Sequence, residues 1–346
     1  MLKKHLIDQN SSLKDALMQL NELHLFLTLF VIDENEVVKG TITDGDIRRG
    51  LLKNMRLDDK VSELMNVNFK FLTETKFSLN DLDEIRKKAL VLIPVVSDDG
   101  KLLRLLNFKA LKSLLPLEVV MMAGGEGSRL FPLTEKIPKS MVPIGGKPIL
   151  EHNIDRLIQF GISKISFAIN HLGEQIEAHF GDGSAKGITI KYIKENQKQG
   201  TIGALSLLKD TQFNHILLMN ADLLTNIDFE SFFREFLKYD ADVSVACFPY
   251  QISVPYATVE TDAENIIGLK EKPVLTYYAN AGIYLIKKEC ISSIPQNTFY
   301  EATQFIEKMI EQKRKVVYYP ILDYWLDIGQ IDDYHKAQED IKHIKL

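Results

Sequence analysis

Ala123-Gly124-Gly125-Glu126-Gly127-Ser128-Arg129-Leu130, with Pro132-Leu133-Thr134 and Pro138-Lys139-Ser140 close behind it, decides the reading of this chain. Three glycines in four positions let a backbone take positive φ and approach a ligand with no Cβ in the way, while successive N–H groups form an anion cradle. Phosphate is the natural guest of such a loop. The apolar run Glu118-Val119-Val120-Met121-Met122 just before it reads as a buried strand. The loop therefore leaves the carboxyl edge of a parallel sheet, where open α/β folds bind ligands. Arg129 and Lys139 bring two positive charges to that edge. The stretch is not a P-loop, because no Gly-Lys-Ser/Thr follows at the required offset. It is not a dinucleotide fingerprint either, because a long irregular loop replaces the helix start.

Outward from the loop, strands and amphipathic helices alternate. A helix is expected over 149–160, a strand over 165–169, a helix over 174–180, a strand over 188–193, a helix over 202–208 and a strand over 215–220. A helix over 229–239 and a strand over 243–248 follow, before shorter strands and turns. This alternation predicts an α/β fold, a Rossmann-like doubly wound mixed sheet. Asp222 ends the 215–220 strand, so its carboxylate falls at the same sheet edge as the glycine loop. Pro148 suits the first turn of a helix, where its missing N–H costs nothing.

Residues 1–116 differ from the rest and repeat themselves, about 1–65 and 66–116. Ser12-Leu13-Lys14-Asp15 and Ser78-Leu79-Asn80-Asp81 each open a helical pattern with a capping-box signal. Each is followed by a strand (29–32, 92–96), an acidic turn, a second strand (near 37–38, 102–106) and a helix (46–52, 108–115). Pro116-Leu117 marks the seam, after which 117–346 form the second domain. A tether this short favours regulation of one half by the other.

The 346 residues suffice for two cores, and a net charge of −5 supplies no basic field for nucleic acid. The two cysteines, Cys247 and Cys290, lie in apolar sequence and read as buried thiols, which suits a reducing cytosol. The greasiest stretch, 23–32, is far too short to span a bilayer, so no membrane partner and a cytoplasmic location are expected.

The glycine loop, Gly145-Gly146-Lys147-Pro148, the segment Glu195 to Ala204, Asn220-Ala221-Asp222, Glu271-Lys272-Pro273, Asn280-Ala281-Gly282-Ile283-Tyr284 and Trp325-Leu326-Asp327-Ile328-Gly329 occur in one order and spacing. In these, residues 118–340 resemble the sugar-phosphate nucleotidyltransferases. The resemblance implies attack by a sugar 1-phosphate on the α-phosphorus of a nucleoside triphosphate, with pyrophosphate leaving. It implies Mg²⁺ held by Asp222 and Asp327, a choice of ligands that suits a hard cation. It further implies catalytic cations: Arg129 on the β and γ phosphates, Lys139 on the α-phosphate and Lys272 on the sugar phosphate. The nucleotide would be held by Ala123, Gly124, Gly125, Gly127, Ser128, Arg129, Lys139, Glu195, Gly200, Thr201 and Asp222. The sugar would be held by Glu271, Lys272, Asn280 and Gly282. Charge on a turn explains Glu195 as well as guanine recognition does. The chain departs from the family pattern at Ser128 for threonine, Ser140 for proline, Ala221 for glycine and Ala257 for glycine. The last adds a methyl where the sugar should approach.

The first half resembles a tandem CBS module through Gly40-Thr41-Ile42-Thr43-Asp44-Gly45-Asp46-Ile47-Arg48-Arg49. In such modules a Thr-x-x-Asp pattern serves adenine nucleotides, here Thr43 for a phosphate and Asp46 for ribose hydroxyls. Both are also favoured helix caps, which explains them equally. The second repeat lacks the pattern, so at most one such site is expected, and the pairing habit of these modules implies a homo-oligomer. The fusion of the two halves resembles guanylyltransferases acting on aminosugar phosphates such as glucosamine 1-phosphate, including those of bacterial legionaminic acid synthesis. GTP is the implied donor. Donors dTTP, UTP or CTP, acceptors mannose or heptose 1-phosphate, and a catalytically silent sensor of nucleotide sugars stay open.

Overall fold

Two units divide the chain, Met1–Pro116 and Leu117–Leu346, and the computed structural model describes residues 2–23, 26–73, 77–195, 197–209 and 211–344. Asn196, within the expected base-binding segment, lies outside the described residues.

The first unit is one motif built twice. Strand β1 (Leu6–Asp8), helix α1 (Leu13–Glu22), β2 (Thr28–Ile32) and β3 (Val38–Thr43) lead into α2 (Asp44–Leu51). Strand β4 (Leu72–Thr73), α3 (Leu79–Lys87), β5 (Leu92–Val96) and β6 (Leu102–Asn107) repeat the order. Each copy is a three-stranded sheet, with β1 parallel to β2 and β4 parallel to β5, and with antiparallel hairpins β2–β3 and β5–β6. A bulge falls at Val31/Ile32 in one copy and at Val95/Val96 in the other. Capping boxes at Ser12, Thr43 and Ser78 start the helices, each joining a hydroxyl to the aspartate three residues on.

The helix expected over 108–115 is absent. Asn107 has no acid three residues on to complete such a box. Its amide oxygen instead accepts from Lys109 N at 2.9 Å, an Asx turn that closes after one loop. Pro116 then forbids continuation.

In the second unit β7 (Glu118–Met122) precedes the glycine loop. The hairpin β8 (Pro143–Ile144) and β9 (Lys147–Pro148) leads into α4 (Ile149–Gln159), with Pro148 as its N-cap rather than its first residue. Then come β10 (Lys164–Ile169), α5 (Gly173–Phe180), β11 (Thr189–Lys194), β12 (His215–Asn220), β13 (Leu223–Thr225), α6 (Phe229–Lys238) and β14 (Val243–Ser253). Strands β15 (Thr258–Asp262), β16 (Asn265–Lys270) and β17 (Val274–Lys287) follow, then α7 (Ala302–Glu311), β18 (Val316–Pro320), β19 (Trp325–Asp327) and α8 (Ile331–Asp340). The segment expected as a helix over 202–208 is a 3-10 helix, Gly203–Leu207.

The main sheet runs β11-β10-β7-β12-β17-β14-β18. Its first four strands are parallel, and β17 lies antiparallel between β12 and β14, so the sheet is mixed. Helix α6 seals it with the fully packed Phe229, Phe232, Phe233 and Phe236. The chain moves from β7 outward to β10 and β11, then returns to the opposite side of β7 at β12. That reversal opens a crevice at the carboxyl ends of β7 and β12, the place where doubly wound sheets take ligands. Met122 and Asn220, paired across it, both face the crevice.

Candidate active site

Each glycine of the loop after β7 is there for a different reason. Only Gly127 has positive φ, +66°, and a Cβ there would fall 2.9 Å from Thr134 and 3.0 Å from Lys139. Of the two freedoms expected of the three glycines, left-handed backbone is used at Gly127 and freedom from a Cβ at Gly124. Gly124 makes room instead: a Cβ on it would meet Glu195 Oε2 at 2.6 Å, whereas at Gly125 it would meet nothing within 4 Å. Thr134 Oγ1 donates to Gly127 O at 2.7 Å and closes the loop on itself, and the 3-10 turn Lys139–Met141 that follows carries the lysine.

From that turn Lys139 reaches two carboxylates. Its Nζ bonds Asp222 Oδ2 and lies 3.9 Å from Asp327 Oδ1. The acids come from separate segments joined by a two-stranded ladder, β13–β19, in which Leu223 faces Asp327 and Ile328 N donates to Asp222 O at 3.1 Å. Burial, together with the neighbouring Asp222 charge, pushes Asp327 up to about 6, against the pull of Lys139 and Arg129. Asp222 Oδ1 and Asp327 Oδ1 are both buried without a hydrogen-bond partner. Two orphaned carboxylate oxygens beside one cation are a donor set that fits a second, divalent cation.

A cleft of about 300 Å³ continues from there, lined by Met122, Gly124, Gly125, Glu126, Glu195, Lys198, Gln199, Gly200, Thr201, Asn220, Asp222 and Phe299. Glu195 and Gln199 each present a buried side-chain oxygen with no partner, and Gln199 is only 2% exposed. Burial raises the Glu195 carboxyl to about 7. Lys198 and Glu126 pair at 2.9 Å at the rim. The exposed ring of Phe299 adds an apolar face.

Gly124, Gly125, Glu195, Gly200, Thr201 and Asp222 thus share one cleft, with Ala123, Gly127 and Lys139 directly behind it. Ser128 and Arg129 lie exposed on the following turn, where Arg129 feels the Asp327 charge. Two of the cleft residues also serve the scaffold. Thr201 Oγ1 donates to Glu301 Oε2 at 2.5 Å and accepts from Ala302 N at 2.8 Å, which anchors α7. Gly200, at φ +75°, yields to the Tyr300 backbone, whose oxygen a Cβ would meet at 2.6 Å.

The expected sugar contacts do not line this cleft. Glu271 and Lys272 are exposed at the turn into β17, and Ala257 is exposed near β15. Strand β17, irregular at Gly282 with φ +70° and a register shift opposite Val245–Cys247, joins that turn to the sheet. Asn280 Oδ1 accepts from Gly282 N at 3.0 Å, and Gly282 packs under Asn220. Conversely, Lys198, Gln199, Asn220 and Phe299 line the cleft without having been singled out. Lys198 and Gln199 stand next to Gly200, which was the available signal, whereas Phe299 carried none.

Phosphate-sized backbone, a cation and paired acids at the switch point of a doubly wound sheet define an enzyme that handles nucleotides. The chain belongs to the Nucleotidyl transferase family, whose profile matches residues 118–344. A CBS domain profile matches residues 4–53. A D-glycero-alpha-D-manno-heptose 1-phosphate guanylyltransferase of Aneurinibacillus thermoaerophilus is 32% identical over 237 residues, which cover 66% of this chain and 99% of the relative. A mannose-1-phosphate guanylyltransferase of Mycobacterium tuberculosis is also 32% identical over 237 residues, covering 65% of this chain and 64% of the relative. Among solved structures, a putative glucose-1-phosphate thymidylyltransferase of Bacillus anthracis shares the fold with a TM-score of 0.54 at 23% identity, over 66% of this chain and 97% of its own.

In the first unit, a cavity of about 530 Å³ is lined by Thr43 and Asp46 with Phe30, Arg49, Asn66 and Lys70 among others. Thr43 and Asp46 bond each other, Thr43 Oγ1 to Asp46 Oδ2 at 2.7 Å, and Asp46 Oδ1 accepts from Arg49 at 2.6 Å. Both therefore cap α2 and face a cavity at once. Among the described residues, no helix is long and apolar enough to cross a membrane.

Proposed function

We propose that the chain couples GTP to a sugar 1-phosphate, giving a GDP-sugar and pyrophosphate, and that the sugar is an aminosugar such as glucosamine, as legionaminic acid synthesis requires. One observation carries the reaction: Lys139 stands between Asp222 and Asp327, whose remaining oxygens are buried and unpartnered, at the mouth of a glycine-lined cleft. A phosphate oxygen of the sugar attacks the α-phosphorus, and the bond to the β-phosphate breaks with its electrons leaving on pyrophosphate. The nucleophile is already an anion, so no side chain needs to remove a proton, and catalysis reduces to alignment and charge relief. Lys139 stabilises charge on the α-phosphate, Arg129 approaches the outer phosphates, and the open space over Gly125 admits them. Asp222 and Asp327 would hold Mg²⁺, which when bound supplies further neutralisation of phosphate charge.

Guanine is supported by the far end of the cleft. Its N1–H and amino group are donors, and Glu195 and Gln199 offer two unpaired acceptor oxygens. Phe299 offers a face for stacking. The two guanylyltransferase relatives agree with this donor. Thr43 and Asp46 would take an adenine nucleotide in the first unit, with the second repeat as its structural pair.

The test is pyrophosphate release from Mg²⁺, each of GTP, UTP, dTTP and CTP, and a panel of glucosamine, mannose, glucose and heptose 1-phosphates. Turnover with GTP and glucosamine 1-phosphate above the other pairs is expected. Turnover with another pair replaces the substrate assignment, and silence across the panel with retained nucleotide binding makes the chain a sensor rather than an enzyme.

A further inference from the structure

Strand β13 belongs to a ladder of only two strands, so alternate backbone groups along it face away from β19. Asp222 O and Asn226 N turn toward β19, where they meet Ile328 N and Tyr324 O. Leu223 O and Ile227 O fall on the opposite edge. Both residues are only 1% exposed, so neither carbonyl can turn to water and each needs a donor from the protein.

Helix α4 supplies both donors. Asn153 Nδ2 donates to Leu223 O at 2.8 Å, and Arg156 Nη2 donates to Ile227 O. Three residues apart, the two side chains leave one face of the helix and hold the segment at the start of β13 and just past its end. Both are buried. Arg156 lies between the rings of Phe160 and Phe229, 6.0 and 5.8 Å from their centres, and its Nε is buried with no partner. Burial lowers its guanidinium to about 10, although Asp228 and Asp323 pull it up. A buried cation with an idle nitrogen is a costly way to fill a core, and an aliphatic side chain of like volume would stabilise it more. Stability alone does not account for it.

We propose that Asn153 and Arg156 are positioning residues, which set where the backbone of residues 222–227 lies and with it the spacing of the Asp222 and Asp327 carboxylates. Asn153 grips the carbonyl of the residue after Asp222, while Ile328 N grips Asp222 O from the side of β19. The acid therefore sits on backbone held from both edges. On the proposed reading of Asp222 and Asp327 as holders of Mg²⁺, on which this rests, their buried and unpartnered Oδ1 atoms share a cation only while that spacing is kept. Groups that orient a metal's ligands from behind govern how tightly the metal is held, by about 10- to 100-fold.

The test reads metal binding rather than turnover. Mn²⁺, a paramagnetic stand-in for Mg²⁺, is titrated into the full chain with whichever of GTP, UTP, dTTP and CTP binds it most tightly, and water-proton relaxation reports the ion held by the protein. Asp222→Asn, Asn153→Leu and Arg156→Met should each weaken Mn²⁺ by about tenfold or more. Arg156→Lys, which keeps a charged donor, should restore wild-type affinity. Asn153→Ser, too short to reach Leu223 O, replaces Asn153→Leu should that variant not fold. Ile176→Ala empties part of the core at α5 and should lower the melting temperature while leaving Mn²⁺ affinity unchanged. Wild-type affinity in the Asn153 variant or in Arg156→Met, with Asp222→Asn weakened, overturns the positioning role and leaves the metal reading standing. An Asp222→Asn variant that binds Mn²⁺ as wild type does overturns both. Equal loss in Ile176→Ala overturns the positioning role too, because general loosening then explains the effect.

Discussion

Glu195→Gln probes the least comfortable charge in the cleft. The Glu195 carboxyl is half-buried beside Gly124, one oxygen has no partner, and burial lifts its titration from 4.5 to about 7. The unfolded chain loses this proton near 4.5 and the folded chain near 7. The folded state therefore binds more protons between those values, and stability falls as pH rises through that window. The full shift corresponds to roughly 3 kcal/mol at 1.36 kcal/mol per pH unit. Water in the open cleft screens much of that, leaving about 1 kcal/mol as the expected penalty above pH 7. Glutamine keeps the shape and removes the titration. The variant should match wild type in thermal unfolding at pH 4.5 and exceed it by about 2–4 °C at pH 8. Donor affinity should move the opposite way. If the ionised carboxylate accepts from guanine, the wild-type KM for GTP rises as pH falls from 8 to 6, and the variant loses that dependence along with about tenfold in affinity. A stability difference that is constant across pH would refute the desolvation argument. A KM profile shared by both proteins would refute the base contact.

Asp222→Asn and Asp327→Asn should each cut turnover by about 10²-fold or more with an unchanged circular dichroism spectrum; undiminished activity in both removes them from the reaction. Gly125→Ala adds a methyl to open space and Gly127→Ala adds one 2.9 Å from Thr134 at φ +66°. The first should raise the KM for the triphosphate with no change in melting temperature, and the second should lower melting temperature and turnover together. Thr43→Ala removes half of a capping box and should cost about 1 kcal/mol in denaturant unfolding of the protein. Calorimetric titration of wild type with AMP, ATP and GTP decides whether Thr43 and Asp46 also bind a nucleotide; heat-silent titrations leave them as caps.

What the sequence makes legible follows physical range. The glycine loop, the strand before it and Asp222 at the end of the next parallel strand are local patterns, and local sterics place them. The repeat in the first unit is legible for the same reason, since each capping box fixes a helix start within four residues. The edge strands β1 and β4 are two or three residues long and have no pattern of their own; they exist because a hairpin offers them an edge. The length of β14 and β17 is equally hidden, because Tyr250, Ile252, Leu275 and Tyr277 alternate as a strand should yet have no interior to face. Gln199 and Phe299 reach the cleft only through the approach of the Tyr300 backbone to Gly200, a contact made across 100 residues.

The pairing of Asp222 with Asp327 is the sharpest case, because neither the main sheet nor the glycine loop produces it. The ladder β13–β19 does, and its register is held by apolar residues on the other face. Leu224 opposes Leu326, and both pack with Ile328 into a cluster containing Leu130, Val142 and Ile149. Side chains alternate along a strand, so a slip of one residue would turn Leu326 toward the cleft and bury Asp327 among aliphatics. The cost of burying that charge without a partner is several times the value of any single contact in the ladder. Hydrophobic burial on one face thus fixes Asp327 on the other, Ile328 N holds the Asp222 backbone beside it, and Lys139 finds both carboxylates within reach. The acids can sit this close with one strained upward in pKa because the core behind them, rather than their own chemistry, sets the distance.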